Sequence, residues 1–171
     1  MPASSQGSQP TRYHLIPRTL IFATRPGEVL LIKGAAHKRL WAGLFNGIGG
    51  HIEQGEDVLT AARREFFEET GLHLERAWIC GVVIVDTGQS PGITLFVLRG
   101  EASSGKLQHS AEGELAWMPV NRELYTLPLV EDLPVLLPHV LDQRPCSAPF
   151  SVLYHYDQDG HLHIHFFGEE D

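Results

Sequence analysis

Between Gly49 and Leu72 the chain reads GGHIEQGEDVLTAARREFFEETGL, and four acids, Glu56, Glu65, Glu68 and Glu69, crowd around one short helix. Asp57 is a preferred N-cap residue and Gly71 a preferred helix stop, so the helix is expected over Asp57–Thr70. At 3.6 residues per turn, Glu69 lies about 40° to one side of Glu65 and Glu68 about 60° to the other, so the three carboxylates share one face. Leu59 and Phe66 form an adjacent apolar side. Like charges one turn apart cost roughly a few tenths of a kcal/mol per pair, which water tolerates, so a solvated acidic face is one reading. Two features favour another. Arg64 sits beside Glu65 and one turn before Glu68, where it can hold a carboxylate in place. A glycine-rich loop also leads straight into the helix, and a solvated face has no need of one. Hard oxygen ligands beside flexible backbone suit Mg²⁺ or Mn²⁺.

The flanks read mainly as strands. Arg18–Ala23 and Glu28–Lys33 are expected to form a hairpin, with Pro26 and Gly27 in a type II turn. Gly34–Asn46 is a long basic loop. Gly47–Glu53 holds too many glycines for a good central strand and suits close backbone approach. Further strands are expected over Ala77–Asp86, Ile93–Glu101 and Gly113–Val120. A second helix, kinked by Pro138, is expected over Val130–Leu141. The runs FSVLYHY and HLHIHFF around DQDG read as a C-terminal hairpin. The class is therefore α/β or α+β. Residues 1–11 are small and polar and read as a disordered tail, which leaves residues 12–171 as a single domain.

A formal net charge of −8 argues against a nucleic-acid backbone as partner, but not against a phosphorylated small molecule met through a cation. Of the two cysteines, Cys80 lies in an apolar run and reads as a buried thiol. No apolar run approaches the ~20 residues of a membrane span, and the first residues lack a secretory pattern, so the cytoplasm is the expected address.

The acidic stretch resembles the Nudix box, the signature of the Nudix hydrolases. Gly50 begins it and Glu56 follows after five residues; seven more lead to Arg64-Glu65-Phe66-Phe67-Glu68-Glu69-Thr70-Gly71-Leu72. The resemblance implies an α/β/α sandwich around a mixed sheet, and Mg²⁺-dependent cleavage of a phosphoanhydride in a nucleoside diphosphate linked to another group. It also implies that Glu65, Glu68 and Glu69 ligate metal or activate water, that Glu56 supports the metal shell, that Arg64 orients a glutamate, and that the carbonyl of Gly49 or Gly50 reaches a metal.

The likeness extends to the MutT-type branch, which includes hydrolases of oxidised purine nucleoside triphosphates. It implies that Asn46, just before the glycine-rich segment, reads the base. Glu112, five residues before Trp117, is implied as a further metal ligand. Glu131 and Asp132, beginning fourteen residues after Trp117, are implied to bind the purine edge. Adjacent carboxyls in an apolar pocket can share a proton and so both donate and accept; equally, acids at a helix N-terminus suit its dipole. Leu129 and Val85 depart from the branch, which has aromatic residues there. Trp41 could supply an aromatic from the basic loop, and Lys33, His37, Lys38 and Arg39 could attract a triphosphate or simply be solvated.

The leading expectation is a Mg²⁺-dependent hydrolase that splits a nucleoside triphosphate into monophosphate and pyrophosphate, acting on 8-oxo-dGTP or other oxidised purines as monomer or homodimer. ADP-ribose or dinucleotides are the other substrate class, and a non-catalytic nucleotide sensor is the reading from another class. His161, His163 and His165 alternate on one strand face; a transition-metal site and plain exposed histidines both fit them.

Overall fold

The computed structural model describes residues 12–168; the tail expected over residues 1–11 lies outside them. In chain order the elements are β1 (Leu15–Arg25), β2 (Glu28–Gly34), β3 (Phe45–Asn46), α1 (Val58–Thr70), β4 (Leu74–Asp86), β5 (Gly92–Ala102), β6 (Gly113–Pro119), a 3-10 turn (Arg122–Thr126), α2 (Leu133–Asp142), β7 (Phe150–Tyr156) and β8 (Leu162–Phe167). The strands form one mixed sheet in the order β3-β2-β1-β5-β4-β7-β8, with β6 paired to β2.

β1 and β2 make the expected hairpin, in register at Thr24 with Val29 and Arg25 with Glu28. Gly27 turns it with φ 77°, a conformation glycine takes without steric cost. Beyond the turn the two strands part. β1 runs parallel to β5, and β2 pairs along its length with β6. The glycine-rich segment fills the opening. Ile32 of β2 pairs with Asn46, Ile21 exchanges backbone bonds with Ile48 at 2.6 and 3.0 Å, and the Thr19 N–H donates to the Gly50 carbonyl at 2.8 Å. Glycine is required for this approach, because a Cβ on Gly49 would lie 2.1 Å from the Thr19 carbonyl oxygen.

Period-two alternation along β1 divides the core into two layers. Leu20 and Phe22 pack with Leu133, Leu136, Leu137 and Val140 of α2. Ile21 and Ala23 pack with Ala62 and Phe66 of α1. The result is a sheet with one helix on each face, the sandwich that the resemblance implies. Phe66 is fully buried and anchors α1; truncating such a side chain to alanine costs about 3–5 kcal/mol.

Helix α1 starts as anticipated: Asp57 Oδ1 accepts from Leu59 N–H at 2.9 Å and Thr60 N–H at 3.1 Å. It stops at Gly71, whose φ of 72° completes the cap while its N–H donates to Phe67 O. Helix α2 starts three residues later than the sequence pattern predicts. Val130 N–H donates to Phe45 O and Phe45 N–H to Pro128 O, so residues 128–130 are tied to β3 before the helix can begin. The helix then continues through Pro138, which is exposed. No helix among the described residues is long and apolar enough to cross a membrane.

Candidate active site

Arg64 organises the acidic face. Its Nε and Nη2 donate to the two oxygens of Glu56 at 2.7 and 2.8 Å, a bidentate pair. Its Nη1 donates to Glu65 Oε1 at 2.9 Å and Glu68 Oε2 at 3.3 Å, and Nη2 also donates to the His51 carbonyl at 3.1 Å. Glu56 accepts a further bond from Glu53 N–H at 3.0 Å. Arg64 and this amide hold the Glu56 carboxyl down at about 2. Both Glu56 oxygens are thus turned to Arg64, and Glu56 is absent from the wall of the adjoining cavity. In this arrangement Glu56 holds Arg64 in place.

That cavity, about 610 Å³ in volume, is lined by Gly49, Gly50, Glu65, Glu68, Glu69 and Glu112 together with Asn46 and Asp132. Gly50 is pressed against the Glu65 carboxyl, 2.4 Å from where a Cβ would stand. Its carbonyl already accepts from Thr19, which leaves one lone pair for any other partner. Glu69 is largely withdrawn from water. Burial first, then the Glu65 and Glu68 charges, push its carboxyl up to about 7 against the opposing pull of Lys38. Glu112 comes from the loop before β6 and forms an ion pair with Lys38 of the basic loop. Arg64 takes one oxygen each from Glu65 and Glu68 and leaves the other. Hard carboxylate oxygens, and a glutamate whose charge the protein itself does not neutralise, fit a hard divalent cation. Glu65, Glu68, Glu69 and Glu112 are the residues that would hold it.

The expected base-binding residues separate. Asp132 is 9% exposed, lies in the cavity wall, and accepts a hydrogen bond from the Tyr154 hydroxyl at 3.1 Å. It stands at the N-cap of α2, but its side chain makes no capping hydrogen bond. Burial raises its carboxyl above the usual range, and the Tyr154 hydrogen bond opposes that rise. Glu131, next to it, is exposed and outside the cavity wall, so the structure does not form the expected two-carboxyl edge. Asn46 Oδ1 accepts from Gly47 N–H at 2.7 Å, which leaves its amide NH₂ as the donating end. Trp41 lines the cavity at 48% exposure, with φ 60°. Lys38 lines it too. Lys33 does not: its ammonium lies over the Phe45 ring, 5.7 Å from the centroid. Leu129 and Val85 pack against the α2-side core.

Three residues at or behind the cavity have no counterpart among the residues expected from the sequence. Arg18 and His51 are antiparallel bridge partners between β1 and the glycine-rich segment, and both line the cavity. Arg18 Nε is buried without a hydrogen-bond partner among the described residues. Tyr154 stands behind Asp132 from a strand 22 residues away. Only the basic start of RTLIFA hinted at Arg18; nothing local could have singled out Tyr154.

A family model described as the NUDIX domain matches residues 14–140. The chain is similar to the oxidized purine nucleoside triphosphate hydrolase of Danio rerio, with 28% identity over 116 residues, 67% of this chain and 73% of that protein. It is also similar to the NAD-capped RNA hydrolase NudC of Haemophilus influenzae, with 29% identity over 133 residues; the match takes in 75% of this chain and 48% of that protein, about half its length. Among solved structures, a MutT protein from Bacillus halodurans superposes with a TM-score of 0.75 at 25% identity, covering 91% of this chain and all of that one. Family match, sheet topology and an acidic helix facing a cavity agree: the chain belongs to the Nudix family and is a Nudix hydrolase acting on phosphoanhydride bonds.

Proposed function

We propose that the protein hydrolyses a purine nucleoside triphosphate to the monophosphate and pyrophosphate, with Mg²⁺ as cofactor and oxidised purines as the preferred bases. One observation carries this reading: a single cavity is lined both by Glu65, Glu68, Glu69 and Glu112 and by Asn46 and the buried Asp132. The acidic group serves the polyphosphate end. Asn46 as donor and Asp132 as acceptor or, when protonated, donor serve the edge of a purine. Leu20, Leu44, Leu95 and Val130 give the cavity an apolar surface for the ring.

Glu65, Glu68, Glu69 and Glu112 would hold a divalent cation, which would supply positive charge to the polyphosphate oxygens. The chain's own groups do the rest. Arg64 fixes Glu65 and Glu68, and one carboxylate of the set accepts the proton of the attacking water. The water oxygen bonds to phosphorus, and the bridging oxygen leaves with the other fragment. Arg18 and Lys38 meet the polyphosphate oxygens from the cavity wall.

A Mg²⁺-dependent hydrolysis panel with product identification tests this reading. It should contain ordinary and 8-oxo purine triphosphates, ADP-ribose and diadenosine polyphosphates. The expected result is the highest kcat/KM on an oxidised purine triphosphate, with monophosphate and pyrophosphate as products. Preference for ADP-ribose or a dinucleotide would replace it with the second substrate class; tight binding without turnover would replace it with a sensor. Glu68→Gln and Glu69→Gln should each lower turnover at least ~10²-fold with the fold retained.

A further inference from the structure

The acidic cavity makes no use of the C-terminal hairpin's outer face. There β7 and β8 pair antiparallel with His155 directly opposite His163. The His155 ring stacks on His163 at 4.9 Å and on His165 at 5.0 Å, with interplanar angles of 12° and 8°. None of the three lines the cavity. Alternate residues Tyr154, Leu162, Ile164 and Phe166 point the other way and pack against the α2-side core. The hairpin is thus anchored by one face while the other gathers imidazoles.

A carboxylate completes the group. Asp157 Oδ1 accepts from the N–H groups of Asp159 and His161, both at 2.9 Å, so the turn itself fixes this side chain. Its Oδ2 lies 3.0 Å from His163 Nε2 and 3.4 Å from His161 Nδ1. A carboxylate at Nε2 selects the tautomer with its proton there and leaves Nδ1 as a lone-pair donor. Histidines that ligate transition metals are held in this way by the group behind them. Imidazole donors suit zinc, nickel, copper and cobalt, unlike the carboxylate set of the cavity, which suits harder cations.

We propose that His155, His163 and His165, with Asp157 behind His163, form a second metal site that takes one transition cation of the Zn²⁺ class and clamps β7 to β8. His155 and His163 are the bridging pair, because they stand opposite one another on the two strands. The side chains are exposed or half-buried; Asp157 holds His163 where it stands, so ligation requires His155 and His165 to turn out of their stacks.

The test uses the full chain without an affinity tag, stripped with chelator and titrated with Zn²⁺ by calorimetry, and with Co²⁺ by its visible absorption. With the cavity first saturated with Mg²⁺, the expected result is one further equivalent of Zn²⁺ that displaces Co²⁺. Affinity should fall at least ~10-fold in His155→Ala or His163→Ala and ~10–100-fold in Asp157→Asn. Glu69→Gln should leave this binding unchanged. Mg²⁺-dependent hydrolysis at the wild-type rate shows that each hairpin variant is folded. The proposal is overturned if no stoichiometric Zn²⁺ binds, which would leave only stacked rings. It is equally overturned if binding survives both histidine substitutions, or disappears in Glu69→Gln, which would assign the ion to the cavity.

Discussion

The Tyr154 hydroxyl donates to Asp132 Oδ2 at 3.1 Å, and both side chains are almost wholly withdrawn from solvent. Asp132 therefore presents one oxygen fixed from behind. The same bond holds its carboxyl lower than burial alone would. Tyr154→Phe removes the donor and little else. Base selectivity, measured as the ratio of kcat/KM for oxidised and ordinary purine triphosphates, should change roughly tenfold, as expected for a lost hydrogen bond to a charged group. Asp132 should then bind its proton at higher pH, so any pH step in selectivity should move upward. A uniform loss on all substrates with an unmoved pH profile would reduce Tyr154 to packing.

Gly50→Ala probes the other end of the cavity. A methyl at this position would meet the Glu65 carboxyl at 2.4 Å, so Glu65 must swing away. Misplacing a reacting group by about 1 Å can cost ~10²-fold, and a loss of that order in kcat is expected while the thermal midpoint changes little. A crystal structure of the variant with Glu65 unmoved, or unchanged turnover, would refute the steric argument.

Arg64→Lys keeps the charge and loses the fork. The guanidinium reaches Glu56, Glu65, Glu68 and the His51 carbonyl at once; an ammonium on a flexible stem cannot reproduce that geometry. Turnover should fall at least ~10-fold, because the glutamates lose their common orientation. Glu56→Gln should give a milder loss in the same parameter. A larger effect on half-activating Mg²⁺ than on turnover in Glu56→Gln would return Glu56 to the metal shell.

Most of the acidic half of this site is readable in the sequence because Glu56, Arg64, Glu65, Glu68 and Glu69 lie within one helix and the loop before it; Glu112 alone of this set comes from elsewhere, the loop before β6. Asp57 and Gly71 act on neighbours within four residues, as Arg64 does on Glu65 and Glu68, so spacing places those contacts; the Arg64 bonds to Glu56 and His51 reach eight and thirteen residues back. The other half depends on strands meeting from distant parts of the chain. Glu131 and Asp132 look equivalent as neighbours, but the tie between Val130 and Phe45 fixes the segment so that Asp132 is buried and Glu131 exposed. Lys33 and Lys38 look alike in a basic stretch; Lys33 lies over Phe45 while the loop carries Lys38 to Glu112. Arg18 read as the first residue of a strand, and only the parting of β1 from β2 brings it to the cavity.

Arg18 offers a separable test of phosphate contact. Its Nε is a buried donor without a partner among the described residues, and it lies in the wall of the cavity. A phosphate oxygen would satisfy it. Arg18→Met keeps most of the stem and removes the donors, so KM for the nucleotide should rise ~10-fold or more, with a smaller change in kcat. Unchanged KM and kcat together would show that the guanidinium does not meet the substrate.

Glu69 makes cation binding depend on pH. Burial and the Glu65 and Glu68 charges raise its carboxyl from 4.5 to about 7 in the cation-free protein. A raised acid binds its proton more tightly folded than unfolded. The cation-free protein should therefore lose stability from this group as pH rises from about 4.5 to 7, with the full penalty above 7. A divalent cation and the proton compete for the same oxygens. Half-activating Mg²⁺ should then rise about tenfold for each unit of pH below 7 and level off above it. Calorimetry in buffers of different ionisation enthalpy should show about one proton released per cation at pH 6 and almost none at pH 8. Absence of proton release at pH 6 would mean that Glu69 is already ionised before the cation arrives, and that its neighbours do not crowd it as the geometry indicates.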